Sequence, residues 1–293
     1  MVKMNNACKK YFGIALDPIH IGTGGYRLGS VDNTIVREPS TDVPKIPGTS
    51  LAGVIREFAT LHLMESDDDC KNKTGEKDKR SCAEEKIKDH FGDDTRQGKF
   101  RFYDGQIFFF PVSSIQGTVW ITTKELLEYW FGEIKNTNGE AITIAESIDG
   151  EAFAIKGIDS SMPTNLGWLL LSIKSVDKGN KIVLPPKLNE FIKRAVIVSD
   201  KLFSHIVNDN LEVRTSVKID PQTGAASDKA LFTYEAIPRG TVIGFEIATD
   251  SRQNDTGNID SLIESTFPYL KLLGIGGLGT RGFGRVEVID INK

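Results

Sequence analysis

LGIGGLGTRGFGRVEV, residues 273–288, is the stretch on which the reading of the fold turns. Six glycines, at positions 274, 276, 277, 279, 282 and 284, are interleaved with Arg281 and Phe283. The run lies between 259–273, whose apolar spacing predicts a helix, and RVEVIDI, which alternates as a strand does. A backbone without Cβ can bring its N–H groups close to a phosphate, and an arginine beside it can hold a phosphate oxygen or stack on a base. The pattern is not the dinucleotide-binding fingerprint, because its glycines precede a strand instead of following one. On composition alone the run also reads as a tight packed turn.

Upstream of it, residues 211–238 hold two alternating apolar arms around Pro221-Gln222-Thr223-Gly224, which predicts a long hairpin. Before the hairpin come a strand, RAVIVSD, and a helix capped by Ser199 or Asp200. Near the other end KYFGIAL, 10–16, reads as a buried strand that enters a long glycine- and proline-rich loop over 17–48. A helix follows at about 50–65, with Thr49 or Ser50 as cap and Leu51, Val54, Ile55 and Phe58 on one face. Residues 66–98 are strongly polar and read as an insertion outside the core. Strand patterns resume at 99–112 and 117–122, and TKELLEYWF at 123–131 predicts a helix capped by Thr122 or Thr123. The stretch 133–190 carries no decisive period and is read as a second insertion. The tryptophans and the Phe108-Phe109-Phe110 run read as core. Strands and helices thus alternate as in an α+β, split β-α-β ferredoxin-like domain, 1–293, with large insertions.

Composition narrows the function classes. Hydrophobic residues make up 39% of the chain, so disorder is not expected. No run approaches the roughly 18 apolar residues of a membrane span, and MVKMNNACKK lacks the apolar core of a signal peptide, which predicts a cytoplasmic protein with no membrane partner. Three cysteines, Cys8, Cys70 and Cys82, are too few for a disulfide framework and agree with a reducing compartment. With 36 basic and 40 acidic residues the net charge is -4, which argues against coating nucleic acid by charge alone. A groove would have to gather the early cations Arg27, Arg37, Lys45 and Arg56, or Arg281 and Arg285 near the end, while acids concentrate at 65–94.

The glycine-rich loop resembles the carboxy-terminal loop of the RAMP superfamily of CRISPR-associated proteins. IPGTSLAGVIR at 46–56 is similar to that family's I-P-G-[ST]-S-L-K-G-[VAL]-[LI]-R stretch, and GKFRFYDGQIFF at 98–109 to its G-R-L-x-F-x-D-A segment. IHIGTGGYRLGSVDNTIVRE and the hairpin region are similar to the backbone subunit of Cmr-type (type III-B) effectors, with the Csm-type (type III-A) subunit as the runner-up. The resemblance implies an RNA-recognition-like palm, a projecting hairpin thumb at about 211–238, and copies stacked helically along a guide RNA with other type III effector subunits. It also implies cleavage of complementary target RNA where the thumb disrupts a base pair.

Asp32 matches the family's catalytic aspartate; from the residues alone it reads as a solvated loop carboxylate or as one that holds a divalent metal, Mg or Mn, or orients a 2′-hydroxyl. His20 positions phosphate or assists proton transfer, or else is hydrogen-bonded structure. For RNA binding the candidates are Arg37, Lys45, Ser50, Arg56, Gly276, Gly277, Gly279, Arg281 and Phe283, with Glu38 as a salt-bridge partner of Arg37. Ala52 stands where the family has lysine, which removes one guide-phosphate contact. Ser50 and the helix amino terminus remain able to bind phosphate. In the first insertion Cys70, Cys82, His62 and His90 form a candidate structural zinc set, or the two cysteines are free thiols. Beside the cleaving subunit stand two alternatives: an inert guide-binding scaffold, and a guide-processing endoribonuclease built around a proton-transfer set. Sequence should be read by base pairing and not by the protein.

Overall fold

The computed structural model describes residues 8–24, 31–132, 134–135, 140, 150–175, 182–219, 222, 226–250 and 259–290. Its elements in chain order are strand β1 (Cys8–Ala15), the short β2 (Lys45–Ile46), helices α1 (Gly48–Ser66), α2 (Asp68–Lys71) and α3 (Glu76–Phe91), and strands β3 (Phe100–Phe102), β4 (Gly105–Val112) and β5 (Val119–Thr122). Then follow α4 (Lys124–Phe131), β6 (Glu151–Lys156), β7 (Thr164–Leu166), β8 (Leu169–Ser175), α5 (Pro186–Phe191), β9 (Ala195–Ile197) and α6 (Asp200–Asp209). The chain ends through β10 (Glu212–Ile219), β11 (Ala226–Ala236), β12 (Val242–Thr249), α7 (Ile259–Leu272) and β13 (Val286–Asp290). It folds as two compact units: 1–21, 46–106 and 245–293 form the first, and 22–45 with 107–244 the second.

In the first unit β13 pairs antiparallel with β1, β1 neighbours β12, and β3 pairs antiparallel with β12. Counted β1, β3, β12, β13 along the chain, the spatial order is fourth, first, third, second, with α1 and α7 as the crossovers. That is the split β-α-β arrangement of a ferredoxin-like palm. Its core follows from the run in β1. Tyr11 is 1% exposed, stacks on Phe245 at 5.5 Å and meets Phe267 edge-on at 5.1 Å. Leu51, Ile55 and Phe58 point one face of α1 inward, and Phe58 stacks on Tyr269 of α7 at 5.8 Å. The cap of α1 differs from expectation: Pro47 occupies the cap position and offers no side-chain bond, and the first amide, Gly48 N–H, is taken instead by the Asp104 carboxylate at 2.7 Å.

The polar stretch 66–98 is more ordered than its composition suggests, because α2 and α3 fold back on α1. Buried Ala83, Ile87 and Cys70 are the small apolar stripe that attaches them. Cys70 and Cys82 are joined as a disulfide across a separation of 12 residues. Neither the zinc set nor the pair of free thiols expected from the sequence is therefore correct. The two cysteines are bonded to each other, so neither sulfur is a thiolate for zinc, and the remaining candidates do not gather: His62 lies against Tyr269 and His90 against Phe100. No cluster of three or more metal-ligating side chains occurs among the described residues. Cys8 is free and exposed, and the odd count it creates concealed a pair that the helices bring together.

The second unit is built on a sheet in the order β4-β5-β9-β6-β8-β7, with the β5–β9 and β6–β8 pairs parallel and the others antiparallel. Phe108, Phe109 and Phe110 are fully buried, as expected of a strand covered on both faces. Thr123 caps α4 through Leu126 N–H at 3.3 Å, and Ser199 caps α6 through Leu202 N–H at 3.3 Å. Trp168 departs from the core assignment: it is 93% exposed in the turn between β7 and β8. Of the stretch 133–190, positions 133, 136–139, 141–149 and 176–181 lie outside the described residues. The hairpin is present as the antiparallel ribbon β10–β11, with Glu212 opposite Ala236 and Val217 opposite Leu231. Most of its expected turn, and Arg27 of the basic stretch, lie outside the described residues. No helix among the described residues is long and apolar enough to cross a membrane.

Candidate nucleic-acid interface

In the second unit the segment 31–37 has no helix or sheet of its own and takes its order from the hairpin. Asn33 forms a parallel bridge to Tyr234, with Asn33 N–H donating to the Thr233 carbonyl at 3.0 Å and Glu235 N–H to the Asn33 carbonyl at 3.0 Å. Asp32 is exposed, yet it is fixed. Its Oδ2 accepts the Thr233 N–H at 2.9 Å and the Thr233 hydroxyl at 2.8 Å, while its own N–H donates to that hydroxyl oxygen at 2.9 Å. The Thr233 amide and then its hydroxyl hold the Asp32 carboxyl below the usual carboxylate range, so the side chain is an anion at neutral pH.

Arg37, expected to grip RNA, is engaged within the protein. Its side chain is 12% exposed and its Nη2 lies 2.5 Å from Glu235 Oε1, with Asn208 and the Asp42 carbonyl taking Nη1. Glu235 Oε2 accepts the Ile35 N–H at 3.2 Å, so the pair clamps the far end of the Asp32 segment to β11. The expected partner, Glu38, instead pairs with Lys45 at 2.9 Å, which engages a second cation that the sequence assigned to RNA. Arg37 and Glu235 lie almost 200 positions apart, and no local pattern announces them.

In the first unit the glycine-rich loop runs from α7 through a single 3-10 turn, Gly279–Arg281, into β13. Gly276 has φ +86°, and a Cβ there would come within 2.5 Å of the His20 carbonyl oxygen, so the position excludes every side chain. Gly277 N–H donates to that carbonyl at 2.9 Å and Gly284 N–H to the Pro18 carbonyl at 2.9 Å. Gly277 therefore commits its amide to holding the loop and has none left for a phosphate. The amides of Leu278, Gly279 and Thr280 have no backbone acceptor among the described residues, and Arg281 beside them is exposed. Phe283 is 4% exposed and packs into the core, so it is not a base-stacking platform. Arg285 is tied to Asp17 at 2.5 Å. His20 is 7% exposed and lies against Gly277, which places it with the loop's packing.

The helix-start motif and the 98–103 segment face one another across a cleft of about 500 Å³. Gly48, Ala52, Gly53 and exposed Arg56 line the α1 side, Arg101 and half-exposed Tyr103 the other. Ala52, standing where the family has lysine, leaves this space open. Ser50 is not on the lining, and the helix end it was paired with already holds the Asp104 carboxylate, which disfavours a second anion there. Arg101 is drawn to Asp250 at 3.4 Å. Tyr103 escaped the sequence reading because it follows an alternating FRF run that marks it only as a strand end.

For a divalent cation the described residues of the Asp32 site offer one carboxylate. Hard cations at phosphate-bearing sites take one or two carboxylates, with phosphate and water supplying the rest. The donor set fits a cation that arrives with nucleic acid and not one caged by the protein.

The sequence profile of the RAMP superfamily matches residues 14–287. The CRISPR system Cmr endoribonuclease Cmr4 of Pyrococcus furiosus is 30% identical over 301 residues, covering 93% of this chain and 92% of that protein. Among solved structures, a chain of the type III-B Cmr-beta complex in its apo state superposes with a TM-score of 0.67 at 18% identity, covering 96% of both chains. Oligomeric Cmr4 from Pyrococcus furiosus does so at 0.60 and 24% identity, covering 97% of this chain and 99% of that one. With motifs, palm topology, profile and a relative aligned along nearly the whole length in agreement, the chain belongs to the RAMP superfamily.

Proposed function

We propose that the chain is a Cmr-type backbone subunit of a type III CRISPR effector, which stacks with copies of itself along a guide RNA and cleaves the paired target RNA at regular intervals through Asp32. The observation that carries this reading is an exposed, ionised carboxylate pinned to a two-stranded hairpin by a threonine of its second strand. A relative named as an endoribonuclease aligns over 93% of the chain and supports the activity.

The hairpin β10–β11 serves as the thumb. Val213, Val217 and Leu231 are exposed on the face of the ribbon that also carries Thr215 and Thr233, an apolar surface able to part a base pair beside Asp32. Asp32 Oδ1, the oxygen not bound to Thr233, accepts a hydrogen bond from the ribose 2′-hydroxyl of the splayed nucleotide and turns that oxygen toward the adjacent phosphorus. The glycine-loop amides and Arg281 hold the guide through its phosphates and leave sequence to base pairing. A divalent cation bound between Asp32 and the RNA would neutralise charge building on the phosphate.

End-labelled complementary RNA incubated with the guide-loaded assembly and magnesium tests this. The expected result is a ladder of evenly spaced products that disappears with EDTA; a target left intact at every time point would show a scaffold with an inert loop.

A further inference from the structure

Four hydrogen-bonding functions of Thr233 go to the loop that carries the carboxylate. Its N–H and its hydroxyl proton go to Asp32 Oδ2, at 2.9 and 2.8 Å. Its hydroxyl oxygen accepts Asp32 N–H at 2.9 Å, and its carbonyl accepts Asn33 N–H at 3.0 Å. The side chain of an exposed aspartate in an irregular loop would otherwise sample several rotamers, and each would aim its oxygens differently. In this loop one oxygen is held by two donors and the backbone behind it by the same hydroxyl, which leaves Oδ1 as the oxygen without a bond to Thr233. Thr233 also lies on the ribbon face that bears Val217 and Leu231, so the element that would part the strands and the group that would meet the ribose are joined through one residue.

We infer that Thr233 is the positioning residue of the cleavage reaction, aiming the Asp32 carboxylate from the hairpin strand through its hydroxyl. The inference rests on the assignment of cleavage to Asp32 made above. Valine has the shape of threonine without the hydroxyl and suits a strand, so T233V removes the side-chain bonds with little cost to the ribbon. T233A removes the hydroxyl by a different route, and T233S restores it without the methyl.

Each variant is assembled on guide RNA, and three quantities are read: affinity for target, single-turnover cleavage rate at saturating complex, and hydrogen exchange of residues 31–35. In T233V and T233A the cleavage rate falls about tenfold, the scale of one hydrogen bond to a charged group, while target affinity changes less than about twofold. Exchange at 31–35 rises in both, and T233S returns rate and exchange to near wild type. Cleavage by T233V at the wild-type rate, in a preparation where D32A is inactive, overturns the positioning role and leaves Asp32 standing. A T233S variant as slow as T233V overturns it too, because the hydroxyl would then not be the active feature. Undiminished cleavage by D32A removes the underlying assignment and the inference with it.

Discussion

Arg37 shows how far a residue's meaning depends on partners the sequence does not advertise. Its guanidinium bridges Glu235, 198 positions away, with both side chains only 12% exposed. Removing it would leave the poorly solvated Glu235 carboxylate without its guanidinium partner. R37A should therefore destabilise the protein by about 2–3 kcal/mol, toward the low end for breaking a buried pair because some water reaches this one. Urea unfolding measures the loss; unchanged stability with weaker RNA binding would return Arg37 to the role of a phosphate grip. Lys45 and Arg285 are likewise held by carboxylates, Glu38 and Asp17. The cations were visible in the sequence but could not be sorted there, because pairing is decided by contacts between distant segments.

Among the elements, the legible ones were those with a strong local period. The face of α1, the caps of α4 and α6 and the two arms of the hairpin follow from spacing and capping chemistry, and they stand where that chemistry puts them. The second unit's β6–β8 excursion was not legible: Leu169 and Leu170 are exposed beside buried Leu171, so apolar identity there does not report burial. The α2–α3 insertion was hidden for another reason, since a covalent bond between Cys70 and Cys82 joins its two helices. Closing a loop of this size contributes about 3 kcal/mol. Reduction with dithiothreitol should accordingly speed hydrogen exchange across 68–91 while β1, β12 and β13 keep their protection. Equal protection of α3 before and after reduction would mean that Ala83 and Ile87 suffice to hold it.

For the molecule as a whole, a net charge of -4, with several cations already engaged by carboxylates, leaves a single copy poorly equipped to hold a polyanion alone. On the proposed function, backbone amides at 278–280, which add no formal charge, and repetition of the same loop in successive copies would reconcile an acidic chain with RNA binding. On that same proposal, site and scaffold separate: the palm loop would retain the guide and the hairpin-borne carboxylate would cut its partner. The decisive comparison is of guide retention and target cleavage by assemblies containing wild-type chain or D32A. If Asp32 cuts and the palm loop holds, D32A gives full guide loading, full target capture and no products. Cleavage by that variant at the wild-type pace and positions would contradict the division of labour between carboxylate and loop.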